Sequence, residues 1–550
     1  MNEERTPVLI VGGSLVGLSA ALFLSWHGIR SVLVERNTGL SPHPRARGVN
    51  ARTMELYRQV GIEDRMRSTG SALALRANEG IIAAESLAGR EYGALEEAYN
   101  SDPVANGRWR SPTDWCLCHQ HEVEPILRER AAELGADLRF GTELTEFDQD
   151  ADGVWAEVRD ADGVRRRIRA DYLIAADGAG GRIRDALGIG ADGPGTLGHF
   201  VNVRFRADLR EPLRGRRFVM CYTISGPARC GLLPVDNAEE WLLHVPFEPG
   251  ASPEFTADRC VALVRAAAGV PDVEVTIEGV APWESAGRTA RRYAHGRVFL
   301  VGDAAHVMPP SGAFGSNTGV QDAHNLAWKL ALVLSGRAGP GLLDTYDEER
   351  RPAGAATVEQ AVLRSKDRPR IAGGPSVPPD PAIRPDTVVA FGQRYRSAAV
   401  DPGLPADADP WEPGPSGLPG TRAPHVDVRV NGRSASTIDL YGRNFVLLTG
   451  PYDGAWAEAF ASAAERIGVG LDVHRAGHEV VAVDEDLCEA HGIGSSGALL
   501  VRPDGFIAWR SAEAPLTVSV DSAARVFARL LATEAPTTRD VGPVRGLIVR

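Results

Sequence analysis

Residues 8–11, VLIV, are an unbroken apolar run, the form of a strand buried on both faces. Gly12, Gly13, Ser14 and Gly17 follow at once. Leu18, Ala21, Leu22 and the run at 24–26 then mark a helix packed on apolar neighbours, closed by Gly28. Residues 32–34 start a second strand that ends in Glu35. Strand, helix and strand in direct succession predict a parallel, doubly wound α/β unit.

The same patterning organises the rest of the chain. Residues 51–60 read as a helix closed by Gly61, and 122–134 as a helix leading into a strand at 137–140. Alternation on both sides of a turn at 160–163 predicts an antiparallel hairpin. Residues 172–176 form a buried strand, with Asp177 and Gly178 at its carboxyl end, where ligands of open α/β sheets collect. From 198 to 285, apolar or alternating runs divided by turns predict an antiparallel sheet of four or more strands, inserted as a layer over the substrate. Residues 298–301 give another strand, ending in Gly302 and Asp303. Pro309, Pro310, Gly312 and Gly315 make a tight loop before a helix at 318–334. Residues 80–115, with Trp109 and Trp115, show no clear period. Residues 366–386 and 402–424 are rich in Pro, Gly and Asp and read as linkers or a surface wrap. Beyond about 422 comes a small α/β unit, with strands near 445–448, 471–473 and 498–501 and helices near 456–467 and 518–531. The expected organisation is a discontinuous nucleotide-binding domain (1–197 and 286–400), a substrate sheet (198–285), a linker (401–421) and a C-terminal domain (422–550). A middle segment near 70–115 joins either of the first two.

The opening unit carries chemistry. Gly12 permits a tight turn, and Gly17 lets the helix lie against the strand. Backbone N–H groups over Gly13, Ser14, Leu15 and Val16 face a pyrophosphate, whose charge the helix dipole favours. Glu35, with Arg36 beside it, stands where a carboxylate holds ribose hydroxyls. Ser14 replaces the second glycine of G-x-G-x-x-G; it is small, and its hydroxyl adds a donor. Arg45, Arg47 and Arg52 form either a solvated basic loop or contacts to phosphate. A net charge of -12 argues against nucleic acid as a partner, and no apolar stretch reaches membrane-spanning length. The N-terminal glycines do not suit a signal peptide. Cys116 and Cys118 are too close for a zinc pair, so no metal site is expected, and the scattered cysteines suit a reducing, cytoplasmic setting.

Three motifs in order, GGSLVG with Glu35, then ADG, then GDAAH-x-x-PP with Gly312 and Gly315, resemble the single-component FAD-dependent aromatic hydroxylases, the class A flavoprotein monooxygenases. The resemblance spans about 7–365. GQRYRSAAV, DLYGRNFVLLTG and LVRPDGFIAWR resemble the branch of phenol hydroxylase and the bacterial aromatic polyketide hydroxylases, and favour the polyketide side. It implies a glutathione-reductase-type FAD domain and a thioredoxin-like C-terminal domain. With Cys488 as its only cysteine, that domain is expected to be redox-inactive.

The resemblance also implies roles. Gly12, Gly13, Ser14, Leu15, Val16 and Gly17 would line the FAD pyrophosphate, with Glu35 and Arg36 at the adenosine ribose. Arg45 matches the arginine of P-R-A, which approaches the flavin. Gln120 matches the glutamine of Q-x-x-[LV]-E, and Asp177 and Gly178 are the DG pair. Gly302 and Asp303 would hold the ribityl chain, while Pro309, Gly312, Gly315, Ser316 and Asn317 would lie beside the isoalloxazine. Phe314 would pack on the flavin, on the substrate, or in the core. No catalytic base is identified; Arg45 and Phe314 are weak catalytic candidates. Tyr222, Trp241, His244 and Phe314 are weak substrate candidates. His306 is read as a fixed residue rather than a base, Trp328 as helix packing and Lys329 as a solvated charge.

The implied activity is hydroxylation of a polycyclic aromatic, polyketide-type substrate through an FAD C4a-hydroperoxide. FAD is bound non-covalently, NADPH or NADH is the reductant and O2 the co-substrate. Antibiotic biosynthesis is the expected setting, and the chain is a monomer or homodimer. Oxidative rearrangement, Baeyer–Villiger insertion or drug-inactivating oxygenation is the nearest alternative, and an FAD-containing drug-sequestering protein a second.

Overall fold

The computed structural model describes residues 3–95, 110–224, 229–248, 255–367, 380–400, 409–452, 455–484, 486–515, 517–533 and 545–547. It is a mixed α/β fold with several sheets. Strand β1 (Glu3–Val11), helix α1 (Leu15–Trp26) and strand β2 (Ser31–Glu35) form the expected parallel unit. The parallel layer runs Asp137–Phe140, β2, β1, Arg165–Ala175, Val298–Leu300. Strand Arg165–Ala175 is long enough to serve two partners along one edge. Its residues 165–170 pair antiparallel with Val154–Arg159, and 173–175 pair parallel with Val298–Leu300.

The principal helices are α2 (Ala51–Gln59), α3 (Gln120–Glu133), α4 (Ala257–Ala268), α5 (Phe314–Leu334), α6 (Asp344–Asp367), α7 (Trp456–Ile467) and α8 (Val520–Leu530). Helix α1 packs between α3 and α5 and is buried on nearly every side, so its apolar positions form no single stripe. Helix α5 begins four residues before the sequence pattern predicts. Its first turn lacks apolar periodicity because Gly315, Ser316 and Asn317 occupy it.

Among the described residues, the inserted sheet has eight strands. In order they are His306–Val307, Thr276–Ala290, Ala191–Arg206, Glu240–Phe247, Cys230–Pro234, Met220–Thr223, Ile81–Ala84 and Glu91–Leu95. Over 198–285 its strands pair antiparallel, as expected; the sheet becomes mixed only where Met220–Thr223 pairs in parallel with Ile81–Ala84, from earlier in the chain. Strands Ala191–Arg206 and Thr276–Ala290 pair along most of their length and run through the expected boundaries at 197/198 and 285/286. Trp109 lies outside the described residues, as do 368–379 and 401–408 of the expected linkers.

The C-terminal unit has a four-stranded sheet ordered Leu471–Arg475, Phe445–Thr449, Ala498–Val501, Ile507–Ser511, the first pair parallel and the rest antiparallel. Buried charges join it to the first unit. Glu349 of α6 accepts from Lys329 (2.8 Å) and Arg502 (2.6 Å), and Arg422 pairs with Glu55 of α2. Lys329 is therefore fully buried, not solvated; burial pushes its ammonium pKa down to about 8. A partner distant in sequence supplies the counter-charge, which no local pattern reveals.

Candidate functional site

Three loops far apart in sequence meet at the carboxyl ends of the parallel strands, and glycines set how closely. A Cβ at Gly17 would stand 1.8 Å from the Gly12 carbonyl oxygen; one at Gly12 (φ +111°) would stand 2.2 Å from that of Ala176, before Asp177. A Cβ at Gly302 would press on Val16 at 2.9 Å. The start of α1, the Asp177–Gly178 turn and the Gly302–Ala304 turn (a 3-10 turn) thus form one cradle.

Polar groups then line it. The Glu35 carboxylate accepts from the Gly13 N–H (2.7 Å) and from Asn37 (2.8 Å). Arg36 is exposed beside it. Sequence reasoning missed Glu124, the last residue of QHEVE. Its buried carboxylate accepts from Ser14 Oγ (2.7 Å), the Leu15 N–H (3.0 Å) and Gln120 Nε2 (2.6 Å). Gln120 Oε1 accepts from the Ala46 N–H (3.1 Å), so α3 holds the start of α1 and the arginine loop together. Asp177 Oδ2 accepts from the Ile183 N–H (3.0 Å), whereas Oδ1 is buried without a partner. Burial raises its pKa. Asp303 is solvent-accessible; desolvation by the protein around it raises its pKa, with His306 and Arg45 opposing. His306 Nε2 donates to Asp322 (2.7 Å).

The arginines divide. Arg47 is committed to the carbonyls of Val219 (3.1 Å) and Pro234, and Arg52 to Glu55 (2.8 Å) and the Asp504 carbonyl (2.7 Å). Arg45 is exposed, with its charge acting on Asp303. Pro309 and Gly312 (φ +91°) are buried before α5, and Gly315 and Ser316 are half-buried in its first turn. The Asn317 amide bridges backbone: Oδ1 accepts from the Asn50 N–H (3.0 Å), and Nδ2 donates to the carbonyls of Gly48 (3.1 Å) and Ala313 (2.7 Å). Phe314 takes its core-filling reading, packed with Val388, Phe391 and Trp411.

Alternation assigns the inserted sheet two faces. Val203, Phe205, Leu232, Trp241 and Leu243 point towards α4, and Phe218 packs in the same cluster. Trp241 is fully buried there, its Nε1 donating to the Ala238 carbonyl (3.2 Å), so it does not face the cradle. Met220, Leu233 and Leu242 belong to the other face, with Tyr222, Trp115 and Ala313 partly buried against that cluster. Tyr222, Gly231, His244 and Asn202 lie in one row across four strands. His244 is edge-on to Trp283 at 5.8 Å. Trp283 Nε1 donates to Asn202 Oδ1 (3.0 Å), and the Asn202 amide donates to His43 Nε2 (3.3 Å) in the arginine loop. Burial, then Arg204, Arg45 and His121, lower the His43 pKa, which suits an imidazole that accepts.

A glycine cradle with an unpartnered buried carboxylate oxygen and an accessible aspartate fits a dinucleotide cofactor, and the inserted sheet offers an aromatic, hydrogen-bonding wall. This arrangement is that of an FAD-dependent aromatic hydroxylase. An "FAD binding domain" model matches residues 5–361, and an "Aromatic-ring hydroxylase, C-terminal" model matches 416–533. The chain belongs to that family. A Streptomyces halstedii protein, provisionally named a polyketide hydroxylase, is 47% identical over 93% of this chain and 94% of its own length. The 4-methyl-5-nitrocatechol 5-monooxygenase of a Burkholderia species is 45% identical over 96% and 98%. The crystal structure of aklavinone-11 hydroxylase with FAD and aklavinone superposes with a TM-score of 0.88 at 37% identity, covering 97% of this chain and 100% of that one. Among the described residues, no helix is long and apolar enough to cross a membrane.

Proposed function

We propose that the chain is an NAD(P)H- and O2-dependent FAD monooxygenase that hydroxylates a polycyclic aromatic, polyketide-type substrate. The observation that carries the reading is the convergence of three dinucleotide-type turns, beside an arginine loop tied to the inserted sheet through His43 to Asn202 and Arg47 to Val219. Bound FAD supplies the oxygen chemistry. The chain's residues do the rest. The start of α1 receives the pyrophosphate, and Glu35 the adenosine ribose. Asp303 takes the ribityl hydroxyls. Backbone at Gly312 and the first turn of α5 faces the flavin ring, where N–H groups stabilise negative charge. Tyr222, His244, Trp283 and Trp115 orient a flat ligand and exclude water.

The nucleotide domain is read as glutathione-reductase type because an antiparallel pair, Glu143–Gln149 and Val154–Arg159, is built onto its fourth parallel strand, Arg165–Ala175. The C-terminal unit is read as thioredoxin-like because the first two strands of its four-stranded sheet are parallel neighbours and the next two are added antiparallel. That unit is structural: Cys488 has no cysteine partner in its sequence. The similarity to a nitrocatechol monooxygenase favours one competing reading, a single-ring substrate. Product mass spectrometry under 18O2, with NADPH and a panel of polycyclic phenols, tests the reaction. One 18O atom in the product with the carbon skeleton intact is expected. A lactone or ring-opened product would make the chain a rearranging oxygenase, and no oxygenated product would contradict the reading.

A further inference from the structure

Asp322 lies in the third turn of α5, its side chain fully buried. Oδ2 accepts from the Gly302 N–H (3.1 Å) and from His306 Nε2 (2.7 Å); Oδ1 accepts from Arg350 Nε (2.8 Å). One carboxylate therefore grips both ends of the short segment that carries Asp303. Gly302 is in a left-handed conformation (φ +59°), and the Ala305 N–H closes the turn on the Gly302 carbonyl (2.8 Å). Helix α5 comes this close because Gly319 has no side chain: a Cβ there would stand 2.9 Å from the Gly302 Cα.

Arg350 is held in its turn. It donates to Gln393 Oε1 (2.6 Å), the Tyr395 hydroxyl (2.9 Å) and the Thr318 carbonyl (3.2 Å). Tyr395 stacks on Phe506 of the C-terminal unit, with ring centroids 3.9 Å apart. Burial alone would raise the Asp322 pKa, but Arg350 and His306 outweigh it and hold the carboxyl below its usual value, so the pair is ionic. A buried ion pair seldom contributes much net stability, because desolvation offsets the attraction. Its place at this turn points instead to geometry.

We propose that Asp322 is a positioning residue for the flavin. Its carboxylate fixes the Gly302–Ala304 turn so that Asp303 faces the ribityl chain, and Arg350 braces Asp322 from the side of the C-terminal unit. The inference rests on the reading of Asp303 as an FAD ligand. The test is a double-mutant cycle on FAD affinity, measured by titrating FAD into the apoprotein and following flavin fluorescence. The proteins are wild type, Asp303→Ala, Asp322→Asn and the double variant. Each single change is expected to weaken FAD binding by about tenfold or more. The double variant is expected to bind about as weakly as Asp303→Ala alone, because Asp322 acts through Asp303.

Fold-losses that multiply in the double variant, or wild-type affinity in Asp322→Asn, would overturn the inference while leaving Asp303 as a ligand. Wild-type affinity in Asp303→Ala would overturn the reading beneath it. A merely structural role would lower the apoprotein's thermal midpoint and still give multiplying losses. If Asp322→Asn does not fold, the pair Asp322→Asn with Arg350→Gln, which removes the orphaned guanidinium, takes its place in the cycle under the same criteria.

Discussion

Leu243 and His244 are neighbours on one strand and point to opposite faces, so truncating each should damage a different property. Leu243 is fully buried against α4 and its neighbours. Leu243→Ala removes a core side chain and leaves a cavity, which costs about 2–5 kcal/mol. His244 is half-buried, edge-on to Trp283, on the face that looks towards Ala313. His244→Ala removes little core, but it takes away one aromatic contact with a flat ligand. Such contacts contribute about 0.5–1.5 kcal/mol, or about a 2- to 12-fold rise in substrate Kd. Thermal unfolding of the FAD-loaded enzyme and titration of the flavin absorbance with substrate separate the two effects. Leu243→Ala should lower the unfolding midpoint with nearly normal Kd, and His244→Ala should do the reverse. Equal destabilisation by both, with substrate Kd unchanged in His244→Ala, would refute the assignment of faces.

Asp303→Ala should strip FAD from the purified, otherwise yellow protein, by removing a charge-assisted hydrogen bond of about 1.5–3 kcal/mol; full FAD occupancy in the variant would contradict this. Desolvation raises the Asp303 pKa in the free protein, and ribityl hydroxyls favour the ionised carboxylate. FAD affinity should therefore rise with pH through that raised pKa, and Asp303→Asn should flatten the profile in equilibrium titrations. Cys488→Ser should leave turnover and FAD content unchanged, since one cysteine cannot form a dithiol catalyst's internal disulfide; lost turnover in a folded, FAD-loaded variant would sink that reading.

The parallel unit was legible because its signals are local. The apolar run at 8–11, the glycines after it and the strand ending at Glu35 are adjacent in sequence. Gly12, Asp177 and Gly302 could be listed separately; that they meet in space follows from strand order, which periodicity does not carry. The faces of the inserted sheet were not legible. Both are covered, so Leu242 and Leu243 are equally apolar and equally buried, and Trp241 looks as suitable for a pocket as Tyr222. Glu124 and Asp322 escaped notice, and Lys329 was read as solvated, for one physical reason. A charged residue in a helix reads as solvated unless its partner is known, and the partners of Asp322 and Lys329 come from a helix later in the chain.

On this reading the flavin site serves a broad polycyclic ligand. Burying such a ligand contributes about 25 cal/mol per Å² of apolar area before entropy costs, so added rings should add affinity. The most direct measurement compares kcat/KM for NADPH oxidation coupled to product formation. Tri- to pentacyclic aromatic polyketides stand on one side, and phenol, 4-hydroxybenzoate and 4-methyl-5-nitrocatechol on the other. Values at least tenfold higher are expected for the polycyclic substrates. Equal or higher values for the single-ring compounds would contradict that reading.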